Sequence, residues 1–476
     1  MKVLYDARLL HRPLSGLERV QRNVLRELGK STRIQRLRVL VTQGTVLPDA
    51  FPSNAEAVPV HGTEDILREL LTPETRPDVY HLTWFPDRHP RDLWLPLAAK
   101  ASVVEVHDAI LNRHPEYHPN HECWKWYHSF VCNLVRNADR LLCHSRSVIE
   151  EVVHDLNGDR KRCDLAPLAV EPDLRVPLPD DEARSRFEKL NLPEPYFLSV
   201  GKDYPHKGHG TLFRALARLD SRCHIVCAGS PVWNGPDNSR KLVEDLGVGD
   251  RVHWVEGLSD EDIKALIQNA AALVYPSTEE GFGLPPIEAM ALGTPVLAAA
   301  AMSIPEVCGD SAWLFPPSNV GALTELMNRV LEKDPALPAL IERGREREKS
   351  LSWARCAEAT VDCYENAIRM SGKGKRRKRK PVLGSDMLAI LNVCATSPFS
   401  AERELAAWQE RCLSVEHSLR DTQQRLAELQ PGAKVEELPP VPPEVVPVEP
   451  AQNYQRFSLR RRIRKIRDGL RKRAGK

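Results

Sequence analysis

Short apolar runs separated by amphipathic stretches recur in two blocks of this chain. That rhythm narrows the fold more than any other feature. In the first block the runs span residues 2–5, 37–41, 79–82, 102–106 and 140–144, and residues 17–28 place Val20, Val24, Leu25 and Leu28 on one helical face. The second block restarts the pattern. Strands are expected at 196–200, 224–228, 251–255, 272–275 and 295–298, with helices at 210–219, 260–269 and 286–291. Strands separated by helices predict parallel sheets with crossover connections. Between the blocks lie Pro172, Pro177, Pro179, Pro193 and Pro195, which read as a linker over 173–195 with one short helix around 182–190. The predicted class is α/β: two Rossmann-like domains, over 1–172 and 196–350, facing each other across a cleft.

Beyond residue 372 the composition changes. Net charge is only +2, but residues 373–380 (KGKRRKRK) are almost wholly basic, and 456–476 hold eleven Lys or Arg against Asp468 alone. The body before them is therefore acidic. Leu405, Trp408, Cys412, Val415, Leu419, Thr422, Leu426 and Leu429 alternate in threes and fours, a coiled-coil seam over 401–429 that would serve an oligomer or internal packing. A Pro-rich stretch at 439–450 is expected to be extended. Leu459, Ile463, Ile466 and Leu470 then share one face of a basic helix. That helix could lie on an anionic membrane, bind nucleic acid, or remain a solvated extension; the membrane surface is the reading taken, and nucleic acid is not expected. No apolar run reaches the ~20 residues that span a bilayer. The opening MKVLYDARLL reads as a strand rather than a signal peptide. The eleven cysteines are scattered, without CxxC or zinc-type spacing. The expectation is reduced thiols in a cytoplasmic protein, peripheral at most on the inner face of the membrane.

The chemistry concentrates in residues 277–293, STEEGFGLPPIEAMALG, between an expected strand and a helix opened by Pro285 and Pro286. Proline suits a first helical turn, which has no backbone partners to lose. Gly281 and Gly283 let the backbone approach a ligand closely, and a helix start suits an anion such as pyrophosphate. Glu280 and Glu288 bracket this turn, and carboxylates accept paired hydrogen bonds from vicinal hydroxyls. In 197–208, FLSVGKDYPHKG, a strand ends at Gly201 and is followed by Lys202 and Lys207, two cations able to neutralise a diphosphate leaving group. Taken alone, they read equally well as solvated loop lysines. His107–Asp108 follows the strand at 102–106, where doubly wound folds place ligand contacts; a helix-capping pair is the plain alternative. His144, after the next strand, is a weaker candidate for the acceptor side. Gly16, in PLSGLER (13–19), lies between the first strand and first helix, where close approach to phosphate is expected; a simple turn is the competing reading. No G-x-G-x-x-G appears, which argues against a nicotinamide enzyme. No Asp-x-Asp falls in a loop placed to carry a metal, so no metal and no cofactor are implied.

The segment E-G-F-G-L-P-P-I-E-A-M-A-x-G-T-P-V resembles the signature of retaining glycosyltransferases of the GT-B fold, glycosyltransferase family 4 (group 1). The resemblance covers about residues 1–370 and is strongest over 196–315. It implies that Glu280 contacts the donor sugar's hydroxyls, that Glu288 holds the ribose hydroxyls, and that Gly281, Phe282, Gly283 and Leu284 contact sugar and phosphate. It places His107 near the anomeric centre. The family has Arg then Lys where this chain has Lys202 and Lys207; lysine keeps the charge without the planar fork. Gly229, Gly257, and Ser303, Pro305 and Glu306 match further family positions, and PEYHP (115–119) is similar to mannosyltransferase-like members. By the same resemblance the first domain is the acceptor side, the second binds the nucleotide sugar, and a helix over 351–372, opened by Trp353, crosses back to the first. The implied activity is transfer of a hexosyl group, mannosyl or glucosyl, from a nucleotide-diphosphate sugar to a glycan or lipid-linked acceptor in cell-surface polysaccharide synthesis, with retention and without a metal. Two other readings use the same cleft: a sugar-nucleotide epimerase or hydrolase, and a non-catalytic nucleotide-sugar-binding scaffold.

Overall fold

The computed structural model describes residues 1–11, 16–48, 51–83, 92, 95–219, 223–229 and 239–372. The coiled-coil, Pro-rich and basic-helix expectations lie outside the described residues.

Seven parallel strands form the first sheet: β1 (Lys2–Asp6), β2 (Arg36–Thr42), β3 (Ala55–Val60), β4 (Val79–Leu82), β5 (Ser102–Val106), β6 (Arg140–Cys143) and β7 (Cys163–Leu165), in the order β3-β2-β1-β4-β5-β6-β7. Six more form the second: β8 (Tyr196–Val200), β9 (His224–Ala228), β10 (Val252–Val255), β11 (Ala272–Tyr275), β12 (Val296–Ala299) and β13 (Trp313–Phe315), in the order β10-β9-β8-β11-β12-β13. Both are doubly wound. Their inner strands are mostly apolar because helices cover both faces; β4, β5 and β11 have no exposed residue at all, although β4 and β5 bury His81 and Glu105.

Three strands escape the sequence reading, β3, β7 and β13, and all three are sheet edges. An edge strand buries less, so its apolar signal is weak: β3 alternates exposed and buried positions and carries Pro59, which edges tolerate. Longer helices such as His121–Asn137, capped by Asn120 on the Cys123 N–H, and Val320–Leu331, capped by Asn319 on Ala322, complete the layers. The Pro-rich stretch holds two short helices, Pro172–Arg175 and Asp180–Lys189, rather than one.

The helix Trp353–Gly372 follows the second sheet in sequence yet packs on the first. Its Trp353 indole donates to the Val170 carbonyl at 3.0 Å, Tyr364 Oη lies 2.7 Å from His81 Nδ1 on β4, and Arg33 pairs with Asp362 and Glu365. A single apolar cluster therefore runs from Val3 and Tyr5 through Trp353 and Tyr364 to Tyr275 and Met290.

Candidate active site

Strand order reverses between β8 and β11 in the second sheet, and between β1 and β4 in the first. The loops leaving the carboxyl ends of strands at such a point border a crevice. The loop after β8 carries Lys202 and Lys207, and that after β11 carries Glu280. Gly208 lets the first loop dock on the second: its φ is +70°, and a Cβ there would lie 2.2 Å from the Pro276 carbonyl oxygen. The His206 carbonyl then accepts from the Thr278 N–H at 2.8 Å. The result is a part-buried ion pair, Lys207 Nζ to Glu280 Oε1 at 2.7 Å. Burial pushes the Glu280 carboxyl up, but the Lys207 ammonium and hydrogen bonds from Lys207, Tyr275 and Ser277 outweigh it and hold Glu280 below its ordinary value.

The glycine turn is oriented by two serines. Ser303 Oγ lies 2.9 Å from the carbonyl oxygens of both Glu280 and Phe282, and Ser145 Oγ donates to the Gly281 carbonyl at 2.6 Å. In a trans peptide the following N–H points the opposite way. The N–H groups of Gly281, Phe282 and Gly283 are thus turned from these serines, and among the described residues none has an acceptor. The helix itself is Leu284–Ala291. Pro285 and Pro286 supply no N–H, so the turn before the helix, more than its first coil, offers donors to an anion. Gly283 has φ +95°, and Phe282 is buried beneath it.

Gly281 also touches the opposite domain. A Cβ on it would lie 1.9 Å from the His107 carbonyl oxygen and 3.1 Å from Asp108 Cβ. His107 Nε2 is 3.2 Å from the Thr83 carbonyl and 3.4 Å from Glu105 Oε1, and burial drives its pKa down to about 4. The imidazole is neutral near pH 7. Asp108 accepts from the Ile110 N–H at 2.9 Å, while the N-cap position of the helix Ile110–Arg113 is Ala109.

His144, the weaker candidate, lies beside His107, with ring centroids 4.8 Å apart. It is 1% exposed, with Nε2 on Glu105 Oε1 at 2.7 Å and Nδ1 on the Ala166 carbonyl at 2.8 Å. Ligand-type atoms of Glu105, His107 and His144 all lie within 4.8 Å of one another. The 2.7 Å contact is a direct hydrogen bond, shorter than the ~3.3 Å between two donors on a tetrahedral ion with ~2.0 Å bonds.

Glu288, 9% exposed, faces Arg19, Glu171 and Asp260. Arg19 comes from the first helix, Gly16–Leu28, and pairs with Asp260 of the second domain, so the Glu288 side of the crevice is also closed from both walls. Burial raises Glu288 to about 7, against the pull of Arg19. Gly16 opens that first helix with open space about it, and Gly201, φ +142°, ends β8. Lys202 is exposed and makes no ion pair among the described residues. Structure thus brings Lys207, Glu280, Gly281, Phe282, Gly283, Leu284 and His107 together, and leaves Lys202 and Gly16 at the rim. Sequence reading missed Ser145, Glu105 and Arg19, which carry no local signal; only the fold delivers them to the crevice.

Residues 180–347 match the family model described as glycosyl transferases group 1. Over these residues the chain is similar to a group 1 glycosyl transferase domain. It is 35% identical over 255 residues to an MMP alpha-(1->4)-mannosyltransferase of Mycolicibacterium hassiacum, covering 51% of this chain and 58% of the relative. It is 27% identical over 387 residues to the O-antigen chain mannosyltransferase B of Escherichia coli, covering 77% of this chain and all of that one. The chain thus spans little over half the length of the first of these relatives. Among solved structures, sucrose-phosphate synthase from Thermosynechococcus elongatus superposes with a TM-score of 0.62 at 20% identity, over 77% of this chain and 99% of the other. The fold is GT-B: two Rossmann-like domains of parallel sheet. No helix among the described residues is long and apolar enough to cross a membrane.

Proposed function

We propose that the chain is a retaining, metal-independent hexosyltransferase of glycosyltransferase family 4. It would move a mannosyl or glucosyl group from a nucleotide-diphosphate sugar to a glycan or lipid-linked acceptor, in cell-surface polysaccharide synthesis at the cytoplasmic face. The observation that carries this reading is the part-buried Lys207–Glu280 pair at the switch point, beside the N–H groups of residues 281–283, unpartnered among the described residues. Glu280 lies where sugar hydroxyls would replace the ammonium as its partners. Lys207, released, would meet the diphosphate with Lys202 and the N–H groups of residues 281–283. These donors act where charge develops on the leaving group. The acceptor hydroxyl attacks from the face the diphosphate leaves, and its proton passes to the departing phosphate. The mannosyl option draws on the names of the two relatives and on the PEYHP resemblance.

The test is a screen of nucleotide-diphosphate hexoses for thermal stabilisation, followed by turnover with and without acceptor glycans. One donor should stabilise, transfer should persist in EDTA, and Glu280→Gln should lower turnover about a hundredfold or more, the scale of losing one preorganised charge contact. Full turnover by Glu280→Gln would overturn the assignment, and release of free sugar without any acceptor would convert it to a hydrolase.

A further inference from the structure

The segment PEYHP, with the two residues before it, has no part in the chemistry above, yet it reaches across the crevice. It follows the helix Ile110–Arg113 of the first domain. Arg113 binds Glu279 through Nε at 3.0 Å and Nη2 at 2.6 Å, while Nη1 holds Asp155 at 2.7 Å. His114 Nε2 is 2.7 Å from Glu279 Oε1, and its Nδ1 is 2.7 Å from Glu116 Oε1. The Tyr117 oxygen is 3.0 Å from His206 Nδ1 and accepts from the His206 N–H at 3.2 Å. The rings of His114 and Tyr117 stack at 4.6 Å.

Glu279 and His206 are the chain neighbours of Glu280 and Lys207. The first domain therefore grips both loops that make the ion pair, each one residue from its charged member. We propose that Arg113, His114 and Tyr117 are positioning residues: an interdomain clasp that holds the loops after β8 and β11 in the arrangement where Lys207 and Glu280 work. This rests on the function proposed above.

The protonation states follow from the partners. Carboxylate oxygens only accept, so both His114 ring nitrogens must carry protons, and the clasp is built around an imidazolium. The Tyr117 oxygen accepts the backbone N–H and gives its own proton to His206 Nδ1, which requires a neutral His206. Burial and the Lys207 charge, driving His206 down to about 4, supply that. The groups facing His114 are Glu116 on its own turn, Glu279 with its partner Arg113, the Tyr117 ring, and the His206 ring at 6.5 Å. Burial opposes the His114 charge, but Glu116 and Glu279 outweigh it and raise its pKa above 6.5. Its contribution is complete below the unfolded value and is lost as pH rises through the higher folded value.

The experiment uses the full chain and two readouts. Amide hydrogen exchange of residues 203–207 and 277–280 reports the clasp without any substrate. Turnover is followed as nucleoside diphosphate released from the best donor of the screen. Tyr117→Phe and Arg113→Gln should speed exchange in both loops at least fivefold. They should lower kcat about tenfold and leave the affinity for UDP or GDP, measured by calorimetry, within twofold. In the unsubstituted chain, loop protection factors, corrected for the intrinsic pH dependence of amide exchange, should fall from pH 6 to 8, and His114→Gln should abolish that fall. Wild-type exchange in both loops for folded Tyr117→Phe and Arg113→Gln would overturn the clasp, whatever turnover does. Should Glu280→Gln keep full turnover while the exchange results hold, the clasp stands and the transfer reading alone fails.

Discussion

Glu280 and Glu288 lie on one turn and its helix, and their surroundings push them apart. Glu280 has an ammonium 2.7 Å away and is held low; Glu288 is buried with two acids and one arginine near it and rises to about 7. A pair of carboxyls separated in this way divides its labour. Under the proposed assignment Glu288 accepts from ribose hydroxyls as a carboxylate. Below pH 7 it is mostly protonated and must first lose its proton. Donor KM should therefore fall as pH rises from about 6 to 8. Glu288→Gln should raise KM severalfold and flatten the profile. A donor KM that does not change with pH in the unsubstituted chain would remove Glu288 from that role. The same carboxyl affects stability with the opposite sign: an acid whose pKa is raised on folding favours the fold fully only below its unfolded value, and that advantage is lost as pH climbs from there through about 7.

At the scale of an element, the turn 277–283 is set by what surrounds it. Its carbonyls are held by Ser145 and Ser303, and its glycines by the absence of room. At Gly281 the obstacle is the His107 carbonyl, a backbone atom that no rotamer change can move. Gly281→Ala should force the two walls apart rather than unpack either core. Turnover should drop at least tenfold, small-angle scattering should show a larger radius of gyration, and the melting temperature should move by only a few degrees. An unchanged radius with full activity would show that the turn relaxes locally. The motif made Gly281 legible as a close-approach site, but the sequence could not say that the close neighbour is the other domain, because His107 lies 174 positions away in the chain.

At the scale of the molecule, the helix Trp353–Gly372 ties the second sheet's chain to the first sheet's core. Tyr364 is fully buried, and its hydroxyl meets His81 Nδ1 while His81 Nε2 lies 3.3 Å from Glu105 Oε2. Tyr364→Phe would strand a buried imidazole nitrogen, a loss of about 1–3 kcal/mol. Urea denaturation should show a lower midpoint at unchanged slope. No loss of stability would mean that His81 finds another partner. The doubly wound architecture was readable from periodicity in its inner strands, which are mostly apolar because both faces are covered. Edge strands β3, β7 and β13 were not, since an edge has fewer neighbours and so a weaker pattern.

The sequence by itself determined the α/β class, the two domains and the residues of the glycine turn, since these depend on local periodicity, turn chemistry and short-range spacing. Tertiary structure alone decided that Lys207 and Glu280 meet, that Ser145 and Ser303 turn the loop's N–H groups outward, that His144 is a buried partner of Glu105, and that Arg113, His114 and Tyr117 reach the opposite wall. Each of these joins residues 21 to 166 positions apart in the chain, 39 in the case of the buried histidine. Only burial, which strips away water, makes such pairings strong enough to fix a charge state, and no run of neighbouring residues records which distant side chain will supply the partner.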